Sequence, residues 1–172
     1  MFIANGKYYI KIFRNVTHQQ LCDFVELMDV VRKTISVETP RIFVDKRLPM
    51  YVCMKNSGFS IHSFDKEFVL KHQDKIHAQA RKIIEELQSI DVKKIPHYER
   101  FTNNMLGRHY REKPCEKCQP VFGHFDMNPS NFLFDDKMNI LTVIDWDEIA
   151  IANNPDTDWN IFMWNWNIYS KK

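Results

Sequence analysis

No stretch of about 18 consecutive apolar residues occurs in this 172-residue chain, which excludes a membrane-spanning helix of ordinary length. The N-terminus, Met1-Phe-Ile-Ala-Asn-Gly-Lys7, has neither the charged start nor the apolar centre of a signal peptide. Four cysteines are too few for a disulfide scaffold, so the cytoplasm is the expected compartment. A formal net charge of only +2 gives no electrostatic ground for a nucleic-acid or membrane-surface partner. Internal repeats and low-complexity tracts are also missing. Apolar side chains, by contrast, are plentiful: 44% hydrophobic and 13% aromatic content describe a folded globular protein.

The length suits one domain with a real core or two small lobes sharing a cleft. Residues 1–4 and 7–13 flank Asn5-Gly6, a pair that readily supplies the positive φ angles of a type I′ hairpin turn. On the second of these strands Tyr9 and Lys11 share one face, and Tyr8, Ile10 and Ile12 the other. A lysine so placed either snorkels or serves a site. From Thr17, a good N-cap, to about Arg32, the residues Leu21, Phe24, Val25, Met28 and Val31 follow helical spacing, with Asp23 and Glu26 beside the stripe. Residues 40–44 and 50–54 read as further strands. Ile76, Ala80, Ile83, Ile84, Leu87 and Ile90 mark an amphipathic helix, and another is expected over 99–110. A turn-rich loop with Cys115 and Cys118, a hairpin from 132–134 and 140–144, and an aromatic helix over 159–169 complete the order. This is an α+β arrangement, with a sheet lobe over residues 1–58 and a mainly helical lobe over 59–172.

Charge is divided more unevenly than its sum suggests. Residues 121–172 hold eight acids against three lysines, leaving the preceding part of the chain basic. Such a division suits a site that takes a cation on one side and phosphates on the other, or simply reflects solvated patches. Within the acidic part, Asp126, Asn131 and Asp145 flank the expected hairpin, which would bring an acid, an amide and a second acid to the same end. A lone acid in a turn is ordinarily just solvated; the set is what points to chemistry. Phosphoryl transfer asks a protein for positioning and charge neutralisation. One carboxylate must orient the acceptor hydroxyl and accept its proton, while oxygen ligands hold Mg²⁺ against nucleotide phosphates. Asp126 suits the first role, and Asn131 and Asp145 the second.

His124-Phe-Asp126, four residues, Asn131 and, after the hairpin, Ile144-Asp-Trp-Asp147 resemble the catalytic region of the aminoglycoside phosphotransferase and choline kinase group within the protein-kinase-like fold. That group commonly writes it H-G-D-x-x-x-x-N followed by I-D-W or I-D-F. Collinear segments extend the resemblance. Tyr9-Ile-Lys11 is similar to the strand bearing the nucleotide lysine, and Val37-Glu-Thr-Pro-Arg-Ile42 to the V-P-x-P-R segment. Tyr51-Val-Cys-Met-Lys-Asn-Ser-Gly58 is similar to the strand and hinge beside adenine, Leu87-Gln-Ser-Ile-Asp91 to L-H-S-I-D, and Asn154-Pro-Asp-Thr-Asp158 to D-P-x-x-D. The resemblance implies a two-lobed fold with a reduced antiparallel-sheet N-lobe and a shortened helical C-lobe. It implies ATP and Mg²⁺ as cofactors and transfer of the γ-phosphate to a hydroxyl of a small molecule, such as an aminoglycoside- or choline-like acceptor. Residue by residue, it makes Asp126 the catalytic carboxylate and Asn131 and Asp145 the metal ligands. Lys11 would reach the α- and β-phosphates, paired with a first-helix acid, Glu26. Backbone near Met54 and Lys55 would contact adenine, while His124 and Asp158 brace the loop. Asp147 and Glu148 read equally well as substrate contacts or as plain surface acids.

Three departures qualify the match. Phe125 stands where the antibiotic kinases usually have glycine; ten residues precede Lys11, where the group has a strand, a phosphate-covering loop and a strand; one helix follows Asp158, where the group has several. The chain is therefore expected to be truncated at both ends, without most of the glycine-rich lid. A second reading follows: a catalytically inactive kinase-like protein that acts as a binding or interaction module. The aromatic segment 159–169 would then self-associate where exposed, or else pack on the helix centred on Ile83. Cys115 and Cys118, joined by His109 or His124, would make a zinc set, but no second cysteine pair supports it and free loop thiols are the plainer reading.

Overall fold

Runs rich in β-branched and aromatic residues pair into a four-stranded antiparallel sheet in the computed structural model, which describes residues 2–4, 8–12, 16–45, 47–48, 50–54, 56–95, 119–152 and 154–171. Its strands are β1 (Phe2–Ala4), β2 (Tyr8–Ile12), β3 (Ile42–Val44) and β4 (Met50–Met54), in the order β1-β2-β4-β3. Ala4 pairs with Tyr8, as a tight hairpin requires, although the Asn5-Gly6 turn lies outside the described residues. Between β2 and β4, Lys11 stands opposite Tyr51 and Tyr9 opposite Cys53. Because side chains alternate along a strand, these four share one face of the sheet.

Helix α1 (His18–Thr34) starts where Thr17 can cap it. The Thr17 hydroxyl accepts the Gln20 N–H and the Gln20 side chain accepts the Thr17 N–H at 2.8 Å, a reciprocal capping box. Leu21, Phe24, Leu27, Met28 and Val31 are fully buried along its stripe, and α1 packs against β3 and β4. Arg32 and Lys33 complement the dipole in its last turn.

Among the described residues, the second lobe is built on α2 (Lys66–Lys71), α3 (Gln73–Gln88) and α4 (Thr157–Lys171) with five short strands. Strand β5 (Phe59–Ser60) joins β7 (Phe132–Phe134) and β8 (Ile140–Val143), while β6 (Val121–Gly123) pairs with β9 (Ala150–Ala152). Ile76, Ala80, Ile83, Ile84 and Leu87 form the buried stripe of α3. Gln79 extends from that helix to the β7–β8 turn, donating to the Met138 carbonyl and accepting the Ile140 N–H. One side of the aromatic helix α4 packs on α3, as expected: His77 of α3 meets Trp159, Phe162 and Trp166 edge to face, and Arg81 stacks over Trp159 at 3.9 Å. Trp164, on the other side of α4, stays 66% exposed.

Away from the cleft, hydrogen bonds also tie the lobes together. The backbone of Glu38 bridges to β8, donating to Leu141 O at 2.8 Å and accepting from Val143 N at 3.1 Å, and the Ser36 N–H donates to the Glu86 carboxylate. Among the described residues no helix is long and apolar enough to cross a membrane. The helix expected over 99–110 and the loop with Cys115 and Cys118 fall outside the described residues.

Candidate functional site

The β7–β8 hairpin gathers the acidic and amide groups. Its pairing of Phe132 with Val143 aligns the residues just beyond each strand, so the Ile144 N–H donates to Asn131 O at 2.9 Å. Asn128 caps the 3₁₀ turn that precedes β7, with its side-chain oxygen on the Ser130 N–H and hydroxyl. That turn aims Asn131 back at Asp126. The Asn131 Nδ2 donates to both Asp126 O and Asp126 Oδ2, each at 2.9 Å. Two oxygens on one nitrogen fix the amide orientation, leaving its carbonyl oxygen turned away from Asp126. Burial raises the pKa of Asp126; the Asn131 hydrogen bond opposes this, and the nearby charges of Asp145 and Glu148 reinforce it.

The loop carrying Asp126 is braced from α4 and from β8. Asp158, buried in the first turn of α4, accepts the His124 N–H at 2.8 Å and the Phe125 N–H at 2.7 Å. His124 is fully buried and uses both ring nitrogens: Nδ1 accepts the Asp126 N–H at 3.2 Å, so the proton sits on Nε2 and is donated to Ile144 O at 3.0 Å. Burial drives its pKa down to about 4, keeping the ring neutral. Phe125 adopts φ of 59°, the left-handed region, which explains why glycine suits this position in the resembling group. Gly123 is required for another reason. A Cβ there would lie 2.7 Å from Asp158 Oδ2 and 2.8 Å from Phe125 Cε2, driving the brace out of place.

Between the lobes lies a cleft of ≈ 380 Å³, lined by Lys11, Tyr51 and Met54 from the sheet, by Gly58 and Phe59, and by Leu133, Ile144 and Asp145 from the hairpin side. Lys11 Nζ spans it, contacting Asp145 Oδ1 at 2.5 Å and Asp147 Oδ2. Burial alone would lower the Lys11 pKa, but the charges and hydrogen bonds of Asp147 and Asp145 more than offset it and hold the ammonium above its usual value. Asp147 Oδ1 accepts the Tyr51 hydroxyl at 2.6 Å. Burial and the Asp147 charge push the Tyr51 phenol up, so it stays a donor. Met54 is at the cleft edge, and Lys55 lies outside the described residues.

Of the residues anticipated, Asp126, Asn131, His124 and Asp158 form one hydrogen-bonded unit, and Lys11 meets Asp145 across the cleft. Glu26 is not brought to Lys11. It is exposed, off the α1 stripe, because that helix turns the apolar side chains of Leu21, Phe24 and Met28 toward the sheet; among the described residues both ion-pair partners of Lys11 come from the other lobe. Tyr51 and the Lys11–Asp147 contact were missed. The alternation that put Lys11 on the face of Tyr9 would have extended to Tyr51 had the β2–β4 register been known. His124 is closed to zinc, since both nitrogens are engaged.

No group of three or more His, Cys, Asp or Glu able to hold a metal occurs among the described residues. The donors on hand are the Asp145 carboxylate and the free carbonyl face of Asn131, beside Asp126. One or two protein oxygens completed by phosphate and water oxygens are what Mg²⁺ accepts, so these residues fit that ion. The arrangement offers a carboxylate with enhanced basicity held by the Asn131 amide, and, lining the cleft, a second carboxylate, Asp145, that meets a cationic amine.

A comparison with curated protein sequences finds no match. Solved structures do match. A streptomycin–ATP–APH(2'')-IIa ternary complex aligns with a TM-score of 0.66 at 16% identity, over 90% of this chain and 63% of that one. The macrolide 2'-phosphotransferase MphH from Brachybacterium faecium aligns at 0.58 and 12%, over 95% and 68%. The aminoglycoside phosphotransferase APH(3'')-Id from Streptomyces rimosus, in complex with ADP and streptomycin, aligns at 0.54 and 15%, over 96% and 74%. The chain thus spans less than two thirds of the first of these, and at such identities the likeness is one of fold: two-lobed and kinase-like, with a reduced sheet lobe and few helices. Residues 61–166, more than half of the chain and including every member of the Asp126 unit, match the phosphotransferase enzyme family, and the protein belongs to that family.

Proposed function

We propose that the protein transfers the γ-phosphate of ATP to a hydroxyl of a small molecule, with the nucleotide in the cleft between β4 and the β7–β8 hairpin. The observation that carries this reading is the Asn131 amide, fixed on Asp126 by two hydrogen bonds beside a cleft where Lys11 and Asp145 face each other. Asp126 accepts the proton of the acceptor hydroxyl, and its raised pKa brings its basicity toward working pH. Asn131 and Asp145 would hold Mg²⁺, which would supply charge neutralisation at the phosphates. Lys11 binds the α- and β-phosphates, and the backbone at Met54 and Lys55 meets adenine. In this reading residues 1–58 are the nucleotide-covering lobe and 59–172 the lobe of the chemistry, in a cytoplasmic protein. Nucleotide and acceptor class draw support from related structures holding ATP or ADP with streptomycin.

Phosphoryl transfer from γ-labelled ATP with Mg²⁺ to a panel of aminoglycosides, macrolides and amino alcohols tests the proposal. Asp126→Asn is expected to lower transfer by about 10²–10⁴-fold, the usual contribution of a general base, with Mg·ATP affinity retained. A parent chain that neither binds nor turns over ATP refutes it. A second reading, an inactive kinase-like module that self-associates through α4, draws on the exposed Trp164. It predicts an oligomer in sedimentation that Trp164→Ser disperses.

A further inference from the structure

We infer that Asp147, oriented by Tyr51, is the residue that positions the cleft lysine, in the place that a first-helix acid such as Glu26 would otherwise fill. The inference rests on the proposed nucleotide role of Lys11. Its starting point is the register of the sheet, in which Lys11 and Tyr51 are direct cross-strand partners on one face. Both side chains therefore aim at the same point across the cleft. What stands there is Asp147, one oxygen on the Lys11 ammonium and the other on the Tyr51 hydroxyl at 2.6 Å. A carboxylate gripped at both oxygens has one orientation left to it.

Each member of this relay is fixed by packing. Tyr51 is 4% exposed, and its ring lies on Phe24 of α1 with centroids 5.9 Å apart and planes 24° apart. Helix α1 thus contributes an aromatic backstop to Tyr51 rather than an acid to Lys11. Asp147 is on the 3₁₀ turn of residues 146–148, anchored by Trp146, whose indole N–H donates to Val143 O at 2.8 Å. The two acids that meet Lys11 differ in setting: the Asp145 side chain is 45% exposed at the cleft, whereas that of Asp147 is 16% exposed behind it. Asp145 can turn to a metal ion when nucleotide enters, and Asp147 keeps the ammonium in place. Asp147 is accordingly a positioning residue, and its position two residues after Asp145 ties lysine and metal ligand to one turn.

The test measures the protection of Lys11 directly, in nucleotide-free protein, by acetic anhydride labelling and mass spectrometry against exposed Lys82 as internal reference. Tyr51→Phe keeps the ring and its stack on Phe24 and removes only the hydroxyl. It is expected to raise Lys11 labelling several-fold, and Asp147→Asn about tenfold, the shift that follows loss of one hydrogen bond to a charged group. Asp147→Glu should recover part of the protection, and Glu26→Gln should leave it unchanged. In turnover assays Tyr51→Phe should raise KM for Mg·ATP while leaving KM for the acceptor unaltered. Unchanged labelling in both Tyr51→Phe and Asp147→Asn, or an increase in Glu26→Gln matching that of Asp147→Asn, would overturn the assignment. Because labelling needs no nucleotide, a chain that fails to bind ATP defeats the proposed function and still decides this point.

Discussion

Replacing Asp158 by alanine should damage stability more than its place at the start of a terminal helix suggests. Its carboxylate is the acceptor for two buried backbone donors, the N–H groups of His124 and Phe125. Each buried donor left unpaired costs about 1–3 kcal/mol. The left-handed Phe125 already carries strain of about 1–2 kcal/mol in the parent, so its relaxation in the variant works against the loss. Partial rescue by water sets the expected loss for Asp158→Ala at about 4 kcal/mol, large for a single polar substitution. Urea unfolding followed by far-ultraviolet circular dichroism reads this out: with an m-value of about 2 kcal/mol/M, the midpoint should fall by about 2 M. Asp158→Asn retains one acceptor and should lose roughly half as much. Gly123→Ala, whose new Cβ meets Asp158 Oδ2 at 2.7 Å, should be less harmful in the Asp158→Ala background than in the parent. A loss below about 1 kcal/mol for Asp158→Ala, or strict additivity with Gly123→Ala, would refute the view that this carboxylate holds the loop.

The buried His124 gives the fold a pH dependence. Its folded pKa of about 4 lies below the unfolded value of 6.5, so the unfolded chain takes up the proton first, and stability falls as pH is lowered through that window. The drop from this residue should reach about 3 kcal/mol by pH 4, and His124→Gln should flatten the profile measured by denaturation at several pH values. The raised pKa of Asp126 acts in the opposite sense, stabilising the folded form as pH falls, which is why the difference between parent and variant is the informative quantity. At the other lobe, Thr17→Ala removes the capping box of α1 and should lower stability by about 1 kcal/mol, measured by the same unfolding curves.

Strong local signals carried most of what the sequence revealed. Thr17 before a 3.6-residue stripe marked α1, and the stripe from Ile76 to Ile90 marked α3, within two or three residues of their ends. The runs around Phe132 and Ile140 predicted a hairpin because each is bounded by turn residues, and that hairpin is what brings Asn131 beside Ile144 and the acid that follows it. Strands β5, β6 and β9 escaped notice since two or three residues are too few to show a period. The short α2 was hidden for a related reason: only Val69 of its six residues is buried, which leaves no apolar stripe. Glu26 was chosen by analogy of position on the first helix, although it lies beside the apolar stripe that presents Phe24 to the sheet. Pairing of Lys11 with Asp147 depends on the packing of one lobe on the other, a relation that sequence spacing does not encode.

In the proposed function, the cleft between Lys11 and Asp145 is a nucleotide–metal site. Thermal unfolding of the parent chain with ATP or ADP, each with and without Mg²⁺, tests that claim most directly. Nucleotide with Mg²⁺ at about a hundred times its dissociation constant should add about 2.7 kcal/mol, and Lys11→Met and Asp145→Asn should each abolish the gain. No stabilisation by any nucleotide in the presence of Mg²⁺, or a gain that survives both substitutions, would contradict it.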